Sequence, residues 1–155
     1  RYGVDMESAS RDAVMSWQDL AKLARDPQAT IGSATVSYPN LARTKGTTAL
    51  REMTMGRTVI ETALNSQCRH FAHPFGGQDS FGPREMMLVR EAGFASAVSA
   101  VPGVVRADGR SDLMALPRIP WDGRLRSLRV LRVLLSGLTL RIPKPPKLEP
   151  AKNYG

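Results

Sequence analysis

The chain has 155 residues, 42% of them hydrophobic, which suits one domain of ordinary size with a buried core and excludes a disordered tail. No apolar run approaches the roughly 20 residues that a membrane-spanning helix needs. The lone cysteine, Cys68, excludes an internal disulfide framework and a thiolate zinc knuckle. Net charge is +8, but it is unevenly placed: residues 1–102 hold 11 basic and 10 acidic groups, whereas residues 103–155 hold 11 basic and 4 acidic.

The basic third offers only Trp121 and Tyr154 for base stacking. A single-stranded nucleic-acid surface interleaves aromatics with its cations, so no nucleic-acid partner is expected. A solvated basic face or an anionic-surface contact fits the composition better. The opening RYGVDMESAS lacks the basic, apolar, small-residue order of a signal peptide. A chain that starts on Arg1 is expected to be the C-terminal part of a larger domain.

In chain order, Ser16 with Asp19 three residues on forms a capping-box start for a helix. Trp17, Leu20, Leu23 and Ala24 give that helix one apolar stripe, and Asp26-Pro27 stops it. Thr30 to Val36 is short, β-branched and apolar, and is predicted to be a buried strand that ends at Tyr38-Pro39-Asn40. A second helix is predicted from about Thr47 to Leu64, with Gly56 as a weak point and Asn65-Ser66 as its close. Cys68 to Ala72 reads as a strand and Pro74-Phe75-Gly76-Gly77 as a loop. Gly82-Pro83 opens a third helix, with proline at the first helical position and Met86, Met87, Val89 and Ala92 as its apolar side. Gly93 fits the left-handed residue after a helix. Phe94 to Val101 is a third strand, Leu113 to Ile119 a short extended stretch, and Arg124 to Leu138 a last helix before a proline-rich end. Met53, Met55, Met86 and Met87 are expected to fill the core.

Helices and strands alternate, which predicts an α/β fold with parallel strands. Ligands in such folds bind at the loops after the strands, here Ser37–Asn40, His73–Gly77 and Val101–Val104. His70 and His73 lie an odd number of residues apart, so along a strand they face opposite sides. Cys68, without a second thiol or nearby base, reads as a small buried hydrophobe.

Three stretches carry a resemblance: Met15-Ser16-Trp17-Gln18-Asp19-Leu20, Thr30-Ile31-Gly32-Ser33-Ala34-Thr35-Val36-Ser37-Tyr38-Pro39-Asn40-Leu41, and Arg69-His70-Phe71-Ala72-His73-Pro74-Phe75-Gly76. Together they resemble the polysaccharide deacetylases with a NodB-like domain, a group that includes the chitooligosaccharide deacetylases. The likeness continues through Gly93-Phe94-Ala95-Ser96-Ala97-Val98, Leu116-Pro117-Arg118 and Leu134-Leu135-Ser136-Gly137-Leu138. It implies a partial, distorted (β/α) barrel over residues 16–138, after a leading segment 1–15 and before a basic, proline-rich tail 139–155. It also implies a carbohydrate partner, an N-acetylglucosamine oligomer or polysaccharide, and metal-dependent hydrolysis of its acetyl amide. The compartment stays open between bacterial cytoplasm and cell envelope.

Members of that group hold a divalent metal, usually zinc, with one aspartate and two histidines, and use a second aspartate as base. This chain contains no Asp-Asp pair. The two histidine positions of the family's H-[ST]-x-x-H motif are occupied by Ala34 and Tyr38. Alanine has no lone pair to donate, and a phenol with a pKa of about 10 is mostly neutral at pH 7. No cofactor is therefore expected in this chain. The resemblance further implies a backbone N–H donor to an oxyanion at His73, and a sugar-contacting rim from Tyr38, Pro74 and Phe75, with Trp121 as an additional candidate.

Two readings of function stand. One is a chitooligosaccharide-type deacetylase that is inactive alone; the other is a non-catalytic carbohydrate-binding or scaffold protein of the same fold. For the 124–138 helix, Leu125, Leu128, Leu131 and Leu135 share one face, with Arg126, Arg129 and Arg132 beside it. That segment is either a terminal helix with a basic solvent side or a helix on an anionic membrane surface.

Overall fold

A computed structural model describes residues 13–105, 108–109, 111–121 and 127–137. The leading residues 1–12, positions 124–126 and 138 of the predicted last helix, and the tail 139–155 lie outside the described residues.

The elements are helix α1 (Trp17–Leu23), helix α2 (Gly46–Leu64), strand β1 (His70–Ala72), helix α3 (Pro83–Glu91), strand β2 (Ser96–Pro102), strand β3 (Leu116–Arg118) and helix α4 (Leu128–Leu135). One-turn 3-10 helices precede α2 at Leu41–Arg43 and β3 at Leu113–Ala115. The three strands form a parallel sheet in sequential order, with Phe71 opposite Ala97 and Val98 opposite Leu116. This is the α/β plan that the alternation predicts, with a partial parallel sheet.

The predicted strand over Thr30 to Val36 shrinks to one parallel bridge, Ser33 with Phe71. Ser33 N–H donates to His70 O at 2.9 Å, and Ser33 O accepts from Ala72 N–H at 2.8 Å. The next donors leave the sheet. Val36 N–H and Ser37 N–H both go to Glu52 Oε2 on α2, at 3.0 and 2.8 Å. A carboxylate that draws off consecutive backbone donors ends a ladder that β-branched composition alone would extend.

Each helix has a local cause. Ser16 caps α1: its Oγ accepts from Asp19 N–H at 3.1 Å and donates to Asp19 Oδ2 at 2.6 Å. The predicted stripe of α1 remains largely in solvent, with no buried residue in the helix. Helix α2 closes on Asn65 at φ 48°, and α3 opens with Gly82 N–H on Glu85 Oε2 at 2.8 Å.

Gly56 is a packing position as well as a weak helix former. A β-carbon there would lie 3.0 Å from Ser33 Oγ and 3.2 Å from Thr35 C, so α2 approaches the bridge segment closely. The core lies between the sheet and α2 and α3, around Leu41, Met53, Phe71, Val89, Phe94 and Ala97. Met53 and Met86 are buried there, but Met55 and Met87 are exposed, which corrects their assignment to the core. Each sits next to or two residues from its buried partner, on a helix face that turns outward.

Among the described residues of the predicted last helix, α4 spans Leu128–Leu135, between caps at Ser127 and Ser136. Its inner face is Val130, Leu131 and Leu134, all half-buried. Leu128 and Leu135 are exposed, so the leucine face expected to pack is only partly turned inward.

Candidate functional site

The loops after Ser33 and after β1 meet at one edge of the sheet. Tyr38 and Phe75 are brought together, their ring centroids 5.2 Å apart and their planes tilted by 58°. Phe75 N–H donates to Tyr38 Oη at 3.3 Å. Both rings are exposed, 53% for Tyr38 and 60% for Phe75. Both residues also have left-handed backbone, φ 55° and 61°. Bulky side chains avoid that region at a cost of order 1–3 kcal/mol per residue, and such strain collects at functional sites.

The conformation is imposed from both ends. Gly76 N–H donates to Pro74 O at 2.7 Å, a γ-turn with Phe75 at its centre. Ala100 N–H of β2 then donates to Gly76 O at 2.9 Å. Gly76 has φ 67°, and a β-carbon there would lie 2.5 Å from Ala100 N, so only glycine fits. On the other loop, Tyr38 N–H donates to Thr35 Oγ1 at 3.0 Å. The Glu52 carboxylate accepts from Val36 N–H, Ser37 N–H and Ser37 Oγ. The Ser37 N–H is the chief reason that the Glu52 carboxyl sits below the ordinary carboxylate range. Behind Asn40, Arg84 Nη2 donates to Leu41 O and Thr44 O, each at 2.9 Å, while its Nε donates to the buried Glu85.

His73 and Pro74 lie beneath the rim rather than on it. The Pro74 side chain is fully buried, which corrects its expected place in the sugar-contacting rim. His73 N–H donates to Val98 O at 3.1 Å inside the sheet, so it is not free to serve an oxyanion. That corrects the donor role expected at His73; the loop's outward-facing backbone donor is Phe75 N–H, which Tyr38 occupies. The His73 ring is 2% exposed, stacked 4.0 Å from the Phe81 ring and edge-on to Phe71. Its Nε2 lies 2.9 Å from Met114 O. A carbonyl only accepts, so Nε2 carries the proton and Nδ1 is a bare lone pair with no protein donor among the described residues. Burial pushes the imidazole pKa below its ordinary value, against the smaller upward pull of the Met114 hydrogen bond.

His70 points the other way, exposed, with Nδ1 2.9 Å from Ser96 Oγ, as the odd spacing of the two histidines predicts. Cys68 is buried, and burial raises its thiol pKa, which suits a core filler and not a nucleophile. Trp121 is half-exposed and has no ring contact with Tyr38 or Phe75 among the described residues.

The donor set does not fit a zinc ion. Ala34 offers a methyl group, Tyr38 Oη is engaged by Phe75 N–H, His73 is sealed in the core and His70 faces Ser96. Among the described residues no three His, Cys, Asp or Glu side chains gather in a metal-binding group.

Sequence reading missed Glu52, Arg84 and Glu85. Glu85 carried a signal, three residues after the helix-opening Gly82. Glu52 and Arg84 carried none, because each reaches backbone groups of a loop far away in sequence.

The described residues thus form a parallel α/β domain whose loops after Ser33 and β1 bring Tyr38 and Phe75 together. The sequence model of the polysaccharide deacetylase family matches residues 6–93, over half of the chain. The chain belongs to the polysaccharide deacetylase family. Three solved structures share its fold. The Streptococcus pyogenes deacetylase PplD in complex with acetate superposes with a TM-score of 0.66 at 16% identity, covering 79% of this chain and 50% of that one. A de-N-acetylase from Aggregatibacter actinomycetemcomitans gives 0.66 at 11%, covering 80% and 54%. IcaB from Ammonifex degensii gives 0.61 at 16%, covering 79% and 52%. The chain thus spans about half the length of these structures. No curated protein matches it.

Proposed function

We propose that this chain is a glycan-binding member of its family, directed at N-acetylglucosamine oligomers or polymers of the chitooligosaccharide class, which by itself does not hydrolyse the acetyl amide. The observation that carries this reading is Tyr38. By the sequence resemblance it stands where the family motif has a ligating histidine; its phenol accepts from the outward backbone donor of the second loop, and its ring pairs with Phe75. The first removes a metal ligand, and the second occupies the outward-facing N–H of the second loop. The third leaves two exposed, rigidly held aromatic faces, a surface that suits the apolar faces of pyranose rings.

The test pairs two measurements on the full chain. Acetate release from an N-acetylglucosamine oligomer is expected to be absent with and without added zinc or cobalt. Binding of the same oligomer, measured by calorimetry, is expected to persist unchanged in a chelator. Metal-stimulated acetate release overturns the non-catalytic reading, and absence of binding overturns the glycan reading.

A further inference from the structure

Helix α4 carries a surface that the glycan rim does not account for. Its residues Val130, Leu131 and Leu134 are half-buried, and a β-carbon at Gly137, just past its end, would lie 3.2 Å from Val104 Cγ1. The burial of these three residues shows which side of the helix faces out. On the outer side, Leu128 is 72% exposed and Leu135 62%. Seven residues apart, these two leucines fall within about 20° of each other around the helix. Arg132 lies about 40° from Leu128 and Arg129 about 100°. Both arginines are exposed. Neither pairs with an acidic side chain among the described residues. Val105, next in chain to the Val104 contact, is exposed as well.

We infer that the outer face of α4 docks on an anionic lipid surface. The order of side chains around the helix selects that occupant. A leucine band alone would suit an apolar protein groove, and an arginine band alone would suit any polyanion. Here the bands lie side by side, so leucines enter the acyl boundary while the long arginine side chains reach the phosphates above it. Charge complementarity extends along the sequence: residues 103–155 hold 11 basic against 4 acidic groups, and the segment around the helix contributes most of the molecule's net +8. Duplex or single-stranded nucleic acid would match the charge but gives the exposed leucines nothing to enter.

The test uses the full chain and vesicles of phosphatidylcholine with 30% phosphatidylglycerol, against vesicles of phosphatidylcholine alone. Flotation is expected to show at least about tenfold tighter binding to the anionic vesicles, weakening as salt rises. Arg129→Gln with Arg132→Gln is expected to weaken it about 30-fold, corresponding to about 1 kcal/mol per arginine near such a surface. Leu128→Ser with Leu135→Ser, which leaves the charge intact, is expected to weaken it about tenfold. Amide exchange on the unmodified chain gives a readout independent of the variants: added vesicles are expected to slow exchange across residues 128–137. Failure to bind anionic vesicles, absence of that added protection, or a leucine variant that binds as the parent does overturns the inference. In the last case, heparin binding equal to the parent's marks the helix as a simple polyanion contact.

Discussion

Two aromatic residues at positive φ, in contact with each other and open to solvent, are an arrangement that folding alone does not favour. Phe75 sits at φ 61° with its ring 60% exposed, so its side chain adds little to the core while its backbone is strained. Replacing it with glycine relieves the strain and removes the ring. Phe75→Gly is therefore expected to melt at or above the parent temperature, yet to bind an N-acetylglucosamine oligomer at least about tenfold more weakly, as for loss of an aromatic anchor. Calorimetry and a thermal melt on one preparation check both halves. Gly76 has the opposite character. Its missing β-carbon is what lets the loop approach Ala100 N, so Gly76→Ala is expected to lower stability by more than about 2 kcal/mol, read from denaturant unfolding.

His73 gives the fold a pH dependence with a definite sign. Its folded pKa is depressed by burial, so the unfolded chain takes up a proton that the folded chain refuses. The stability from the neutral ring is fully present above the unfolded value of about 6.5 and is lost as pH falls from there toward the folded pKa. The melting temperature is expected to drop between pH 7 and pH 5, and His73→Phe, which stacks on Phe81 without titrating, is expected to flatten that part of the profile. Of the five residues named from sequence for the site, Tyr38 and Phe75 meet as a rim, His73 and Pro74 form the floor under it, and Trp121 joins neither ring among the described residues. Sequence could not separate floor from rim, because alternation along a strand predicts sides only until the chain turns, and here it turns at Phe75.

At the scale of elements, the legible features were those with local causes. Ser16 with Asp19, Pro83 at a helix start, Asn65 and Gly93 at helix ends all fix boundaries through contacts within a few residues, and the structure places them where the residues predict. The Thr30–Val36 strand was not legible, because what limits it is a carboxylate on another helix. Glu52 accepts three hydrogen bonds from Val36 and Ser37, and these hold the turn that presents Tyr38. Glu52→Ala is expected to leave the melt nearly unchanged, since the bonds lie in a solvent-exposed turn, but to weaken oligosaccharide binding several-fold. Comparing the two measurements separates a loosened rim from a damaged fold.

For the whole molecule, the sheet order explains why one edge collects the site. Parallel strands taken in sequence put every following loop on the same side, so residues from 33–38 and 73–76 converge although a 19-residue helix separates them. The alternation predicted that edge. The identity of its occupants came only from motif resemblance, because spacing contains no information about which aromatic pairs with which.

One feature of α2 bears on how such a surface changes over time. The residue that shapes the turn before Tyr38 belongs to a helix that packs into the interior through the adjacent Met53. A substitution anywhere along that helix that rolls it slightly carries the carboxylate with it and reshapes the Tyr38–Phe75 rim, with no change in the loop's own letters. Under the proposed glycan-binding role, selectivity among related sugars would drift through replacements that look, position by position, like ordinary interior variation.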